Sequence, residues 1–300
     1  MKVFITGATG YIGFNVARAL RKAGNEIFGL TRSRDKASVL LKNEITPVIG
    51  DMSDPAGYLS VAEHCSVLIH AAMDYEHDSA ELDKKTVKNL IRIGEKGSQP
   101  KTFIYTSGCW IHGDTNGKLV DETTPLSPAK MVAWRTEVEQ SVLNAENIKG
   151  IVVRPGCVYG KRGGLTGMWF DAISRNADLK ISGDGSNHWT LVHVDDLADA
   201  YVRIAGSGLT GEVFDISDHS RESVRDMVEA VAETAGYKKD ILYLSQDDAV
   251  KEFGGMAESL ALDQHVDGSK IMHLLGWRPK FNSFIDHAET LYKAWLAYQN

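Results

Sequence analysis

The chain opens Met1-Lys-Val-Phe-Ile-Thr6-Gly7-Ala-Thr-Gly10-Tyr-Ile-Gly13, and this stretch decides the fold. Lys2 to Thr6 is a short, mostly apolar run of β type. Gly7, Gly10 and Gly13 follow at once. Beyond them Ile12, Val16, Ala19, Leu20 and Ala23 recur at the spacing of a helix with one apolar face. Strand, glycine turn and helix start, in that order, make the βα unit that receives a dinucleotide. Gly7 permits the tight turn off the strand. Gly10 lets backbone approach a pyrophosphate, and Gly13 lets the helix lie close on the sheet. The free N–H groups and positive dipole end of the helix then face the phosphates.

Asn25 to Thr31 reads as a second strand, followed by Arg32-Ser33-Arg34 with no acid before Asp35. An acid at this point holds ribose hydroxyls; an arginine holds a 2′-phosphate. Arg32 can pair with that phosphate and Ser33 can donate a hydrogen bond to it, so the reading is NADP. A solvated basic loop is the alternative. Further β runs follow at 45–50, 67–72, 102–106 and 151–155, alternating with helical patterns. The expected fold is α/β, a Rossmann-type doubly wound parallel sheet with a smaller C-terminal substrate lobe. Ligands gather at the carboxyl ends of such strands, where Gly7–Gly13, Asp51, Ala71, Ser107 and Pro155 would meet.

Composition narrows the class. A net charge of −7 without a basic run argues against a nucleic-acid partner. Cys65, Cys109 and Cys157 make neither a disulfide framework nor a metal spacing, and no metal is expected. No apolar run reaches the roughly 18 residues of a membrane span. With the first strand starting at residue 2, the expectation is a cytoplasmic enzyme with no leader peptide and no membrane partner, acting on a small molecule.

Three motifs carry a family resemblance. Thr6-Gly-Ala-Thr-Gly-Tyr-Ile-Gly13, Thr190-Leu-Val-His-Val-Asp-Asp-Leu-Ala198 and Leu274-Leu-Gly-Trp-Arg-Pro279 together resemble the extended short-chain dehydrogenase/reductase superfamily, epimerase/dehydratase branch. The resemblance implies a dinucleotide-binding domain over 1–160. It implies a mainly substrate-binding lobe over 161–300, with about 190–217 returning to the main sheet. Cofactor contacts would come from Gly7, Thr9, Gly10, Tyr11, Ile12, Gly13, Arg32, Ser33, Asp51, Met52, Ala71, Ala72, Ser107, Arg135, Pro155, Cys157 and Val158. Asp51 and Met52 would hold the adenine. Two helices, near 79–97 and 130–146, pair across a homodimer in the family. Asp195 and Asp196 open a helix and are expected to cap it; Asp54 before Pro55 has the same expectation. His70 is expected to be a hydrogen-bonded core residue.

The resemblance also implies a Ser-Tyr-Lys triad, and this chain departs from it. Alignment on Glu139-Gln140 and on Ile111-His112-Gly113 puts Gly108, Met131 and Arg135 in the three places. Methionine cannot exchange a proton, and Arg135 stays protonated. Ser107 and Tyr159 are the substitutes selected, ahead of Tyr75, Cys109, Trp110, His112 and Lys130. A Cys109–His112 thiolate pair is a remote alternative. Trp110, Trp134, Trp169 and Trp189 are candidates for an aromatic cleft. The first function is therefore an NADP(H)-dependent oxidoreductase with an atypical site, acting on a small carbonyl. Its alternatives are a catalytically silent NADP sensor and a nucleotide-sugar epimerase or dehydratase.

Overall fold

The computed structural model describes residues 1–74, 78–96 and 99–299. Seven parallel strands form the main sheet: β1 (Lys2–Thr6), β2 (Glu26–Thr31), β3 (Thr46–Ile49), β4 (Val67–His70), β5 (Lys101–Thr106), β6 (Ile148–Pro155) and β7 (Glu212–Ile216). Their order is β7-β6-β5-β4-β1-β2-β3. The order reverses between β1 and β4, the switch point where open α/β sheets hold ligands.

Alternation along each strand feeds two cores. Val3 and Ile5 of β1 face a core with Val16, Ala17 and Leu20 of the Tyr11–Lys22 helix and Leu197 and Tyr201 of the Val194–Ser207 helix. Phe4 faces the other, with Leu68, Phe103, Tyr105 and Val152. Covered on both faces, the central strands are largely apolar, as expected of a parallel sheet. A third core, built on Trp169, Phe170, Trp189, Val228 and Phe284, belongs to the C-terminal half. In the segment 190–217, β7 pairs with β6 on the main sheet. Leu191–His193 instead pairs with Cys157–Tyr159 in a separate ribbon.

Several expectations need correction. The 130–146 segment is not one helix: a single turn at Lys130–Val132 precedes the Arg135–Leu143 helix. Nor is the helix merely a surface one, because Val138, Glu139 and Val142 are buried. Asp195 and Asp196 do not cap the helix they open. His193, at the end of its strand, accepts the Asp195 N–H through Nδ1 at 3.2 Å and takes that role. Asp196 is instead an anchor for the C-terminal segment, accepting the N–H groups of Lys280 and Phe281 at 2.8 and 3.0 Å. Asp54 stands at the cap position of the Pro55–Gly57 turn, but its carboxylate accepts no capping bond.

Candidate functional site

The site is built where β1, β4 and β5 end. Gly7 has φ +73°, and a Cβ there would lie 2.5 Å from the Ala71 carbonyl oxygen. A Cβ on Gly13 would lie 2.2 Å from the Gly7 oxygen. Glycine at both points is therefore a steric demand: the loop after β1 is pressed between the end of β4 and the helix that follows. Gly10 stands at the cap position of that helix with no side chain to bond, and no acid occupies the first turn. Its first N–H groups are left for an anion. These residues fit the diphosphate of a dinucleotide.

A second loop closes on the first. The Tyr11 hydroxyl donates to the Gly160 carbonyl at 2.7 Å. A Cβ on Gly163 would come within 2.8 Å of the Tyr11 ring, so the 160–164 loop lies flat on it. Burial pushes the Tyr11 phenol well above its ordinary range, which makes it a fastener and not a base. Arg162 reaches back over the loop and donates to the Thr9 carbonyl at 3.1 Å. This puts its positive charge next to the diphosphate cradle, a placement that depends on the 160–164 loop folding back on Tyr11.

At the end of β2, Arg32 lies between two carboxylates. Its Nε is 3.8 Å from Asp51 and its Nη1 is 3.8 Å from Asp74. The side chain is 58% exposed, which leaves the guanidinium within reach of a phosphate at the end of β2. Ser33 accepts the Lys36 N–H at 3.2 Å as a helix cap, which leaves its own hydroxyl proton for a ligand. Asp51 is held below the ordinary carboxylate range by the Ser53 hydroxyl and N–H. Met52 packs beside it, against the core under β2 and β3. Ile12 and Ala71 both pack against the core around β1.

Beneath the site runs a chain of buried polar groups. The Thr6 hydroxyl meets His70 Nδ1 at 2.6 Å, and His70 Nε2 meets Asp83 at 3.1 Å. The Tyr105 hydroxyl donates to the other Asp83 oxygen at 3.1 Å. Arg135 Nη1 donates to the Tyr105 oxygen at 3.3 Å and to the Thr106 carbonyl at 2.8 Å. The two Asp83 oxygens can accept from His70 Nε2 and from the Tyr105 hydroxyl at the same time. The chain links the residue before Gly7 to Arg135. Asp83 was missed, although its spacing to Val87, Leu90 and Gly94 places it on the buried side of its helix.

Of the residues at the triad positions, Gly108 offers only backbone, and Met131 is 43% exposed. Arg135 is held at the end of β5 by the bonds above. Ser107 adjoins it: its N–H donates to the Val153 carbonyl at 2.8 Å, joining β5 to β6. Its hydroxyl is buried and has no partner among the described residues. Tyr159 is wholly buried, its ring edge-on to His193 and Phe284, and burial beside Asp218 pushes its phenol far up. Pro155 ends β6, and the Cys157 N–H donates to the Thr190 carbonyl at 2.6 Å, with Val158 following in the same ribbon.

Other candidates separate. The Cys109 thiol donates to the Arg154 carbonyl at 3.3 Å, while His112 bonds Asp215 at 2.9 Å. They form no thiolate pair, and burial pushes the Cys109 thiol well up. Trp169 and Trp189 do not line a cleft; they stack at 5.1 Å inside the C-terminal core. Trp134 lies under the Arg135 guanidinium at 4.8 Å. Lys130 lies in the turn before Met131. Tyr75 lies outside the described residues.

Comparison with known proteins places this geometry. The chain is 26% identical over 234 residues to a Dictyostelium discoideum sterol-4-alpha-carboxylate 3-dehydrogenase (decarboxylating), a match that covers 72% of this chain and 71% of the relative. It superposes on a Bacillus cereus UDP-glucuronic acid 4-epimerase, solved with UDP-glucuronic acid and NAD, at a TM-score of 0.81, with 18% identity and 100% of each chain covered. It superposes on the human epimerase family protein SDR39U1, solved with NADPH, at a TM-score of 0.80, with 17% identity, 98% of this chain and 99% of that one. The model of the NAD dependent epimerase/dehydratase family matches residues 3–217. With the strand order, the glycine loop and the helix N-terminus all in agreement, the chain belongs to the NAD dependent epimerase/dehydratase family.

Proposed function

We propose that this protein is an NADP(H)-dependent oxidoreductase that acts on a small carbonyl without a tyrosine base. The observation that carries the reading is Arg32-Ser33 at the end of β2, an exposed guanidinium and a hydroxyl proton where an NAD site has an acid. The NADPH bound by human SDR39U1 and the dehydrogenase activity named for the D. discoideum relative support the same class.

Gly7–Gly13 and Arg162 would hold the diphosphate, Arg32 and Ser33 the 2′-phosphate, and Asp51 and Met52 the adenine. Ala71, Ala72, Pro155, Cys157 and Val158 would line the nicotinamide half. The dinucleotide supplies the hydride. Ser107, with a buried hydroxyl that no described residue engages, would hold the substrate oxygen. Arg135 would bind ribose hydroxyls and, being permanently charged, stabilise negative charge on that oxygen without giving up a proton. Solvent supplies the proton, because Met131 cannot. Tyr159, enclosed in the C-terminal core, serves packing.

A catalytically silent NADP-binding protein is the second reading, favoured by the replacement of all three triad residues by Gly108, Met131 and Arg135. NADPH absorbance followed over a panel of aldehydes and ketones separates the two. Consumption with at least one substrate, reduced in Ser107→Ala, is the expected result. Tight NADPH binding with no consumption across the panel overturns the oxidoreductase in favour of the silent binder. The UDP-glucuronic acid 4-epimerase likeness offers a third chemistry. That chemistry leans on the phenol for which this chain has Met131.

A further inference from the structure

We propose that His188, Asp263 and His265 form a binding site for a divalent transition metal, with Zn2+ the ion to which the donor set is suited. This inference is independent of the oxidoreductase reading. The donors are His188 Nδ1, an Asp263 oxygen and His265 Nε2, and all three lie within 4.8 Å of one another. His188 Nδ1 is 2.8 Å from one Asp263 oxygen, and His265 Nε2 is 3.4 Å from the other. Ligands about 2.0–2.2 Å from a tetrahedral zinc stand roughly 3.3 Å apart, and the two nitrogen–oxygen separations bracket that value. The two rings are 4.7 Å apart.

The carboxylate is preorganised without the imidazoles. It accepts the His188 N–H at 2.9 Å and the Gly117 N–H at 3.1 Å. The Asp263 carbonyl accepts the Thr115 N–H at 2.8 Å and the Thr115 hydroxyl at 3.0 Å. Backbone and threonine alone therefore tie these loops together, and two further imidazoles on one carboxylate are surplus to that task. One carboxylate balances the charge of one protonated imidazole. A divalent ion uses both rings in their neutral form together with the carboxylate. Two nitrogens and one oxygen suit zinc and its transition-metal neighbours, whereas magnesium and calcium take oxygen shells.

The side chains are 30%, 26% and 17% exposed for His188, Asp263 and His265, so an ion can enter and keep a solvent ligand in its fourth position. Gln264, between two of the ligands, donates to the carbonyls of Cys109 and Gly113, both at 2.9 Å. An ion here would thus stiffen the loop that follows Ser107.

The test uses the full chain, stripped with EDTA and titrated with Zn2+ by calorimetry, beside His188→Ala and His265→Ala. One saturable equivalent is expected, weakened in each variant by more than the roughly 10–100-fold lost when a residue supporting a metal ligand is removed. No saturable uptake, or uptake unchanged in either variant, overturns the site. Circular dichroism of the metal-free variants checks their folding. Should a variant unfold, the Co2+ spectrum of the unaltered chain decides. Intense four- or five-coordinate bands are expected, and the weak spectrum of aqueous Co2+ overturns the proposal.

Discussion

Replacing Asp83 tests the buried chain beneath the site. Its two oxygens accept from Tyr105 and from His70, each at 3.1 Å, and all three side chains are buried. Asp83→Ala leaves both donors without an acceptor in a place water does not reach. Each stranded group costs about 1–3 kcal/mol, and the removed atoms leave a small void, so the total is about 3–5 kcal/mol. Against a typical stability of about 5–15 kcal/mol that is a large fraction. The loss also frees Tyr105, on whose oxygen Arg135 rests at 3.3 Å, so the guanidinium loses one of its supports. Asp83→Asn keeps the shape but turns an amide donor toward one of two donors, and is expected to cost less than half as much. Urea unfolding of the three proteins measures the effect, with NADPH titration of the folded variants. A loss below about 1 kcal/mol in Asp83→Ala would refute the reasoning, because the chain would then be decoration on a stable core.

Three further outcomes follow from the same geometry. Ser107→Ala removes a buried hydroxyl with no partner among the described residues, so urea unfolding should show stability unchanged or higher while NADPH consumption falls at least about tenfold. Burial raises Asp218 from its ordinary 3.8 to about 6, so the folded chain holds a proton that the unfolded chain releases. Stability from this group is present below about pH 4 and is lost as pH rises through about 6, by at most about 3 kcal/mol. Asp218→Asn should flatten the urea midpoint over that window and raise it at pH 7. Gly13→Ala drives a Cβ to 2.2 Å from the Gly7 oxygen, and melting should show a loss of more than about 1–3 kcal/mol together with lost NADPH binding. The family resemblance implies a homodimer through the Ser79–Lys96 and Arg135–Leu143 helices, and sedimentation checks it.

Local signals made most of the fold legible. Gly7, Gly10 and Gly13 between a strand and a one-faced helix have few other uses, and the alternation of β runs with helices left one sheet class. What escaped the sequence was long-range. Tyr159 sat at a plausible sequence position beside the cofactor loops, but nothing local showed that Phe284 and His193 would enclose it. Arg162 reaches Thr9 only through the fold of the 160–164 loop onto Tyr11, a contact between residues 153 apart in the chain. Asp195 and Asp196 had the composition of a cap, yet the preceding histidine could reach the same N–H. Asp83 was the readable miss, since an acid in line with Val87 and Leu90 must be paired if that face is buried.

The central claim is that the cleft at the ends of β1, β2 and β4 takes a dinucleotide with a 2′-phosphate held by Arg32. Calorimetric titration of the unaltered chain and of Arg32→Asp with NADPH and NADH tests it most directly. NADPH is expected to bind the unaltered chain more tightly, and the substitution to weaken NADPH by about 1–3 kcal/mol with NADH little changed. Equal weakening of both cofactors would contradict the phosphate assignment, and binding of neither would contradict the reading of Gly7–Gly13.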